Sequence, residues 1–221
     1  MMVRVGVLLA GCGVMDGAEI HEAVLTLLAL DRAGAETICM APDMDQMHVV
    51  NHLTNQEVKG ENRNVLVEAA RIARGNIRDI AKVKVGDLDA LVIPGGFGAA
   101  KNLCTFAVDG PSCRVQPEVR RLISEMAEAG KPIGAICISP AILAAVLGSK
   151  KPTVTIGTDP QTAQTLEGMG VIHQNCPVDQ AVTDEAHKLV TCPAYMLGPS
   201  IKDVAKGIEA LVKKVLELAK G

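Results

Sequence analysis

The chain has 221 residues and a formal charge of −3, and 48% of its residues are apolar, enough to bury the core of one large α/β domain. With no Trp, one Tyr and two Phe, it offers almost nothing for bases to stack on, and its dispersed basic residues exclude a nucleic-acid footprint. No apolar stretch approaches the ~20 residues of a membrane span, so neither nucleic acid nor membrane is expected as a partner.

In chain order, "VRVGVLLAG" (3–11) reads as a buried strand ending in glycine. Residues 18–34 follow with helical spacing at Ile20, Val24, Leu27 and Leu28 and a stop at Gly34. "AETICMAP" (35–42) is the next strand. The stretch 43–87 is longer than an ordinary connection and reads as an inserted excursion, a lid or an oligomer contact, with one helix over 62–75. "LDALVIPGG" (88–96) and "KPIGAIC" (131–137) are strands that break at their ends, separated by an amphipathic helix over 115–130. "PAILAAVLG" (140–148) is a helix with proline in its first turn. "TVTIG" (153–157) and "HKLVTCP" (187–193) are further strands, and 201–220 is a final amphipathic helix. This alternation predicts a single domain built on a doubly wound, mainly parallel sheet between helix layers.

Ligands in such sheets bind beyond the carboxyl ends of the strands. Three motifs fall there: the loop 11–17, "PGGFG" (94–98) and "GAICIS" (134–139). Cys137 stands between a strand and a helix start, with the small residues Ala135 and Ser139 two positions to either side, as a nucleophile elbow requires. The amide of Ile138 is then a candidate oxyanion donor, and that of Gly96 a second. No strand–GxGxxG–helix unit is present, so no dinucleotide cofactor is expected.

A carboxyl beside such a thiol would share or move its proton. Glu19 and Glu22 both sit at the start of the first helix, and spacing does not choose between them. His48 and His52 have i, i+4 spacing, but there is no third ligand and "HVVNH" lacks the glutamate of a zinc-protease motif. A lid or interface role is expected of them, not a metal. His21, His173 and His187 have no motif behind them.

Seven cysteines without a CxxC pair fit a reducing compartment. "LLAGC" (8–12) imitates a lipoprotein box, but its apolar run is shorter than the ~7–15 residues of a signal core. A cytoplasmic location is the expectation.

Taken together, "GAEIHEAVLTLLALDRAG" (17–34), "DALVIPGGFGAAKNL" (89–103) and "GKPIGAICISPAILA" (130–144) resemble the class I glutamine amidotransferase-like superfamily. The branch is that of the PfpI-type proteases and the Parkinsonism-associated deglycase. "LAGCGVMDGAEIHEAV" and "HVVNHL" narrow the resemblance to the ElbB family, glyoxalase-like and linked to isoprenoid biosynthesis. It implies a flavodoxin-like three-layer sandwich, Cys137 as nucleophile, Glu22 rather than Glu19 as its carboxyl partner, and Gly96 and Ile138 as oxyanion N–H donors. It also implies a homodimer, no cofactor, and glyoxal or methylglyoxal as substrate, with a redox-sensing or protein-interaction module as the alternative. The histidine that activates cysteine elsewhere in the superfamily is missing: position 138 is Ile, "TVTIG" has none, and "CPAYMLG" (192–198) lacks the His-x-Glu of glutaminases. Aldehyde chemistry therefore fits better than amide hydrolysis.

Overall fold

A computed structural model describes residues 2–221. Among the described residues the strands are β1 (Arg4–Leu8), β2 (Glu36–Ala41), β3 (Val50–Asn51), β4 (Gln56–Glu57), β5 (Arg78–Asp79), β6 (Ala90–Ile93), β7 (Ile133–Ile136), β8 (Thr153–Val154), β9 (Ile172–His173), β10 (Val182–Asp184) and β11 (Leu189–Cys192). The α-helices are α1 (Ile20–Arg32), α2 (Val65–Ile72), α3 (Phe106–Asp109), α4 (Pro117–Glu128), α5 (Pro140–Leu147), α6 (Pro160–Gly168) and α7 (Ile201–Lys220).

Seven strands make one sheet in the order β10-β11-β7-β6-β1-β2-β5, parallel throughout except for the β10–β11 pair. The expected flavodoxin-like architecture is present. β1, β6 and β7 are almost entirely buried, because helices cover both faces, and their Val, Ile, Leu and Ala content follows from that. α1 and α7 pack together on one face, with α2 against α1 and β2; α4 and α5 pack on the other. This alternation of faces follows from right-handed crossovers that run outward in both directions from the β1–β6 pair. Among the described residues no helix is long and apolar enough to cross a membrane.

Three differences from the sequence expectation matter. The strand expected at 153–157 shrinks to Thr153–Val154 and pairs with β9 in a small separate sheet against which α6 packs. The long connection 43–87 adds the β3–β4 hairpin and α2, then returns through β5, an edge strand on β2. Finally, the chain after β6 makes one widened π-helical turn at Ala99–Leu103, a local irregularity that proteins often place beside functional sites.

Candidate active site

Four chain segments leaving the carboxyl ends of β1, β6, β7 and β11 meet at one point. From β1, the loop 11–17 leads into α1. Glu19 caps that helix, its carboxyl accepting the amide of Glu22 at 2.7 Å. The Glu19 amide donates in turn to the Gly95 carbonyl (2.9 Å). Glu22 lies one turn on, facing inward and fully buried.

From β6, Pro94–Gly96 passes over Glu22. The Gly95 amide donates to Glu22 Oε2 at 2.9 Å. No side chain fits at Gly95: a Cβ there would lie 2.5 Å from Cys137 Cβ and 2.7 Å from Glu22 Oε2. Gly96 has a φ of +95°, which glycine adopts without strain. The next two residues lock onto the first loop, Phe97 N–H donating to the Val14 carbonyl and Gly98 N–H to that of Gly17.

From β7, the chain turns sharply at Cys137, which has a φ of +61°. This left-handed conformation is costly for a residue with a Cβ and is typical of functional turns. The turn is held from two sides. The Cys137 amide donates to the Cys192 carbonyl at 2.9 Å, and the buried Ser139 hydroxyl donates to the Pro94 carbonyl at 2.8 Å. Position 139 therefore ties the elbow to the glycine loop as well as being small. From β11, Ala194 adopts a φ of +44° and aims the Tyr195 amide at Glu22 Oε1, 3.2 Å away.

The Cys137 thiol lies beside the Glu22 carboxyl, both next to Gly95, and the amides of Gly96 and Ile138 are near enough to its sulfur to favour the thiolate. Burial dominates the electrostatics. It pushes the Glu22 carboxyl up to about 8, against the opposing pull of Tyr195, Cys137 and Gly95. Burial, then the Glu22 charge, pushes the Cys137 thiol well above its ordinary value, and the two amides only partly offset this. At neutral pH the pair thus holds its protons, and Glu22 is the first to ionise. Cys137 is 8% exposed and lines a cavity of about 170 Å³ walled by Val14, Phe97, Ile138, Tyr195 and Met196. A larger hollow of about 510 Å³ between the C-terminal ends of α1 and α7 contains no thiol or buried ionisable group.

The structure brings Cys137, Glu22, Gly96 and Ile138 together and uses Glu19 as a helix cap. It does not bring a histidine to the sulfur. His21 is exposed and its Nδ1 lies 2.7 Å from the Tyr195 hydroxyl. His173 supports the Ile156 amide (3.3 Å) and His187 pairs with Asp184 (2.8 Å). The helical spacing inferred for His48 and His52 is absent, since 50–51 is β3. His52 instead accepts the Met15 amide at Nε2 (3.1 Å) and directs Nδ1 to the Val50 carbonyl (3.0 Å), so both nitrogens brace the loop beside the cavity. Among the described residues no cluster of three or more His, Cys, Asp or Glu side chains is arranged to hold a metal.

Sequence reasoning missed Tyr195, which contributes a wall and a donor, and Asn102, whose amide group donates to the Ala10 and Asp16 carbonyls (2.9 Å each) and fixes loop 11–17. The available signal for Tyr195 was positional: "CPAY" leaves a strand at the same sheet edge as the other motifs.

The model of the DJ-1/PfpI family matches residues 9–196. The human glutamine amidotransferase-like class 1 domain-containing protein 3, mitochondrial, is 47% identical over 97% of this chain and 83% of its own length. The rat ES1 protein homolog, mitochondrial, is 46% identical over 97% of this chain and 84% of its own. A crystal structure of an isoprenoid biosynthesis protein with amidotransferase-like domain from Ehrlichia chaffeensis superposes with a TM-score of 0.92 at 42% identity, covering 98% of this chain and 99% of that one. These matches bear out the resemblance read from the motifs. They overturn the cytoplasmic expectation: both mammalian relatives are named mitochondrial. Scattered reduced cysteines do not distinguish one reducing compartment from another.

Proposed function

The chain belongs to the DJ-1/PfpI family, and we propose that it is a cofactor-independent glyoxalase that converts glyoxal to glycolate, or methylglyoxal to lactate, on Cys137. The observation that carries this reading is the buried Glu22 carboxyl set beside the Cys137 thiol at the base of a small cavity. At about 170 Å³ the space is below the roughly 300–1,000 Å³ of drug-sized ligand sites and suits a two- or three-carbon substrate.

Ionised Glu22 takes the thiol proton as sulfur adds to the aldehyde carbon, and the Gly96 and Ile138 amides stabilise charge on the carbonyl oxygen. Glu22 passes the thiol proton on to that oxygen, which gives a hemithioacetal and leaves Glu22 ionised again. Glu22 then removes the hydrogen from the former aldehyde carbon and delivers a proton to the neighbouring carbon, through an enediol, leaving a thioester of the 2-hydroxy acid. Water cleaves the thioester and restores the thiol. Amide hydrolysis fits the site less well, because it needs a base for the nucleophile and then an acid for the leaving amine, and no histidine reaches Cys137. A sensor of standing low-pKa thiolate type fits less well too, since burial and Glu22 keep this thiol protonated.

The proposal includes a homodimer. The apolar face of α7 is spent on the protein's own sheet. Ile20, Val24 and Leu28 instead form an exposed i, i+4, i+8 stripe on α1.

The test is glutathione-free turnover of methylglyoxal in heavy water, with lactate followed by NMR. Wild type is expected to give lactate carrying deuterium at carbon 2, and Cys137→Ser to fold normally with turnover reduced by about 10³-fold or more. Wild-type protein that makes no lactate, or a serine variant that retains turnover, defeats the proposal.

A further inference from the structure

Away from this site, a second pair of thiols is set face to face. The segments around Cys104 and Val115 form a short antiparallel bridge, with the Thr105 amide donating to the Arg114 carbonyl (2.9 Å) and the Gln116 amide to that of Leu103 (3.0 Å). In such a pair, residues 104, 113 and 115 point to the same side, and the strand twist brings the diagonal partners 104 and 113 together. Their side chains therefore face one another across the bridge, near enough for each thiol to shift the other's ionisation.

The intervening loop is closed on itself and keeps this geometry. The Thr105 hydroxyl donates to Asp109 (2.6 Å) and accepts the Arg114 amide (2.9 Å), while the Cys113 amide donates to the Gly110 carbonyl (3.1 Å). Cys113 is half-exposed and Cys104 is buried. One thiol is thus reachable from solvent and the other waits behind it, which is the arrangement of an attacking and a resolving cysteine.

We propose that Cys104 and Cys113 are a redox-active dithiol that a hydroperoxide converts to an intrachain disulfide. This does not rest on the glyoxalase reading. Cys113 sulfur attacks the peroxide, so that an S–O bond forms, the O–O bond breaks, and one water leaves with the thiol proton. Cys104 sulfur then attacks the sulfenic sulfur; the S–S bond forms, the S–O bond breaks, and the hydroxide leaves as a second water with the Cys104 proton. Two thiols lose two electrons and one hydrogen peroxide becomes two waters.

The order of attack follows from the surroundings. Burial raises Cys113, but the neighbouring Cys104 thiol and the Arg120 charge counter it, opposed by Asp109. Burial pushes Cys104 up to about 12, so it gives its proton up last. The Cys104 thiol donates its one proton to the Ala99 carbonyl (3.4 Å), at the head of the π-helical turn that follows the glycine loop. Oxidation removes that bond and so reaches the segment that carries Gly96.

A single tryptic peptide, residues 102–114, contains both cysteines, which makes the test direct. Native wild-type protein is treated with hydrogen peroxide, unfolded, alkylated, digested and weighed; a sample unfolded in urea before the peroxide is treated in parallel. The native sample is expected to yield this peptide without alkyl groups and two hydrogens lighter, reversed by dithiothreitol, and to do so far faster than the unfolded one. Cys113→Ser is expected to leave Cys104 fully alkylated. The proposal is overturned if the native peptide stays doubly alkylated, if Cys113 collects oxygens while Cys104 remains alkylated, or if unfolded chains form the link as readily.

Discussion

Tyr195 donates its main-chain amide to Glu22 Oε1 at 3.2 Å, across 173 residues of sequence, and with Gly95 on the other oxygen it leaves that carboxyl a single free direction, toward Cys137. The pH behaviour of the protein follows from this enclosure.

Turnover is expected to rise with pH. The proposed base is ionised Glu22, whose buried carboxyl titrates at about 8, so kcat/KM for methylglyoxal should climb from pH 6 and level off above that value. Glu22→Gln should lose about 10²–10⁴-fold in rate, and its residual activity should lack this limb. A profile that is flat in wild type between pH 6 and 9 contradicts the assignment.

Stability is expected to move the other way. Glu22 titrates at 4.5 in the unfolded chain and at about 8 when folded. Below pH 4.5 both states hold the proton and the full contribution is present. As pH rises toward 8 only the unfolded chain ionises, so stability falls, by up to about 1.4 kcal/mol per pH unit. Thermal unfolding of Glu22→Gln between pH 5 and 8.5 should show a shallower decline than wild type. The slope is the readout, because the amide also loses one acceptor for the two amides that meet the carboxyl. Parallel slopes would falsify the buried-acid account.

Gly95→Ala should damage both fold and chemistry. The new methyl group meets Cys137 Cβ at 2.5 Å and Glu22 Oε2 at 2.7 Å, an overpacking of about 1–3 kcal/mol. Gly86→Ala is the control, since nothing lies within 4 Å of its added Cβ. Equal melting temperatures for the two variants would show that the close approach at Gly95 is not tight.

Ser139→Ala should cost about 1–3 kcal/mol by leaving the buried Pro94 carbonyl without its donor, and should loosen the elbow against the glycine loop. The expected signature is a fall in kcat larger than the rise in KM, measured on methylglyoxal. A variant as stable and as active as wild type would remove the hydroxyl from the account.

Much of this site was legible because sheet physics announces it. Cys137 and Gly95–Gly96 stand where apolar runs end, and parallel strands end together at one edge. The choice between Glu19 and Glu22 was not legible from spacing. Both carboxyls lie at the first turn of one helix, three residues apart, so either can reach the same crevice. Here Gly95 takes the Glu19 amide and leaves Glu22 to face the thiol, an outcome decided by a loop over seventy residues away. β5 and β10 were missed because two or three residues carry no periodicity. The bracing role of His52 arises from a fold-back of the 43–87 connection that helical spacing could not describe.

The Cys137 amide continues the β7–β11 ladder, donating to the Cys192 carbonyl at 2.9 Å. The reactive thiol is therefore not mounted on a mobile loop: its backbone is the last rung of the central sheet. Local opening that frees loops elsewhere leaves this rung closed until the sheet itself gives way. Labelling of Cys137 in denaturant should then rise only as far-UV circular dichroism is lost, so that it reports the global unfolding transition.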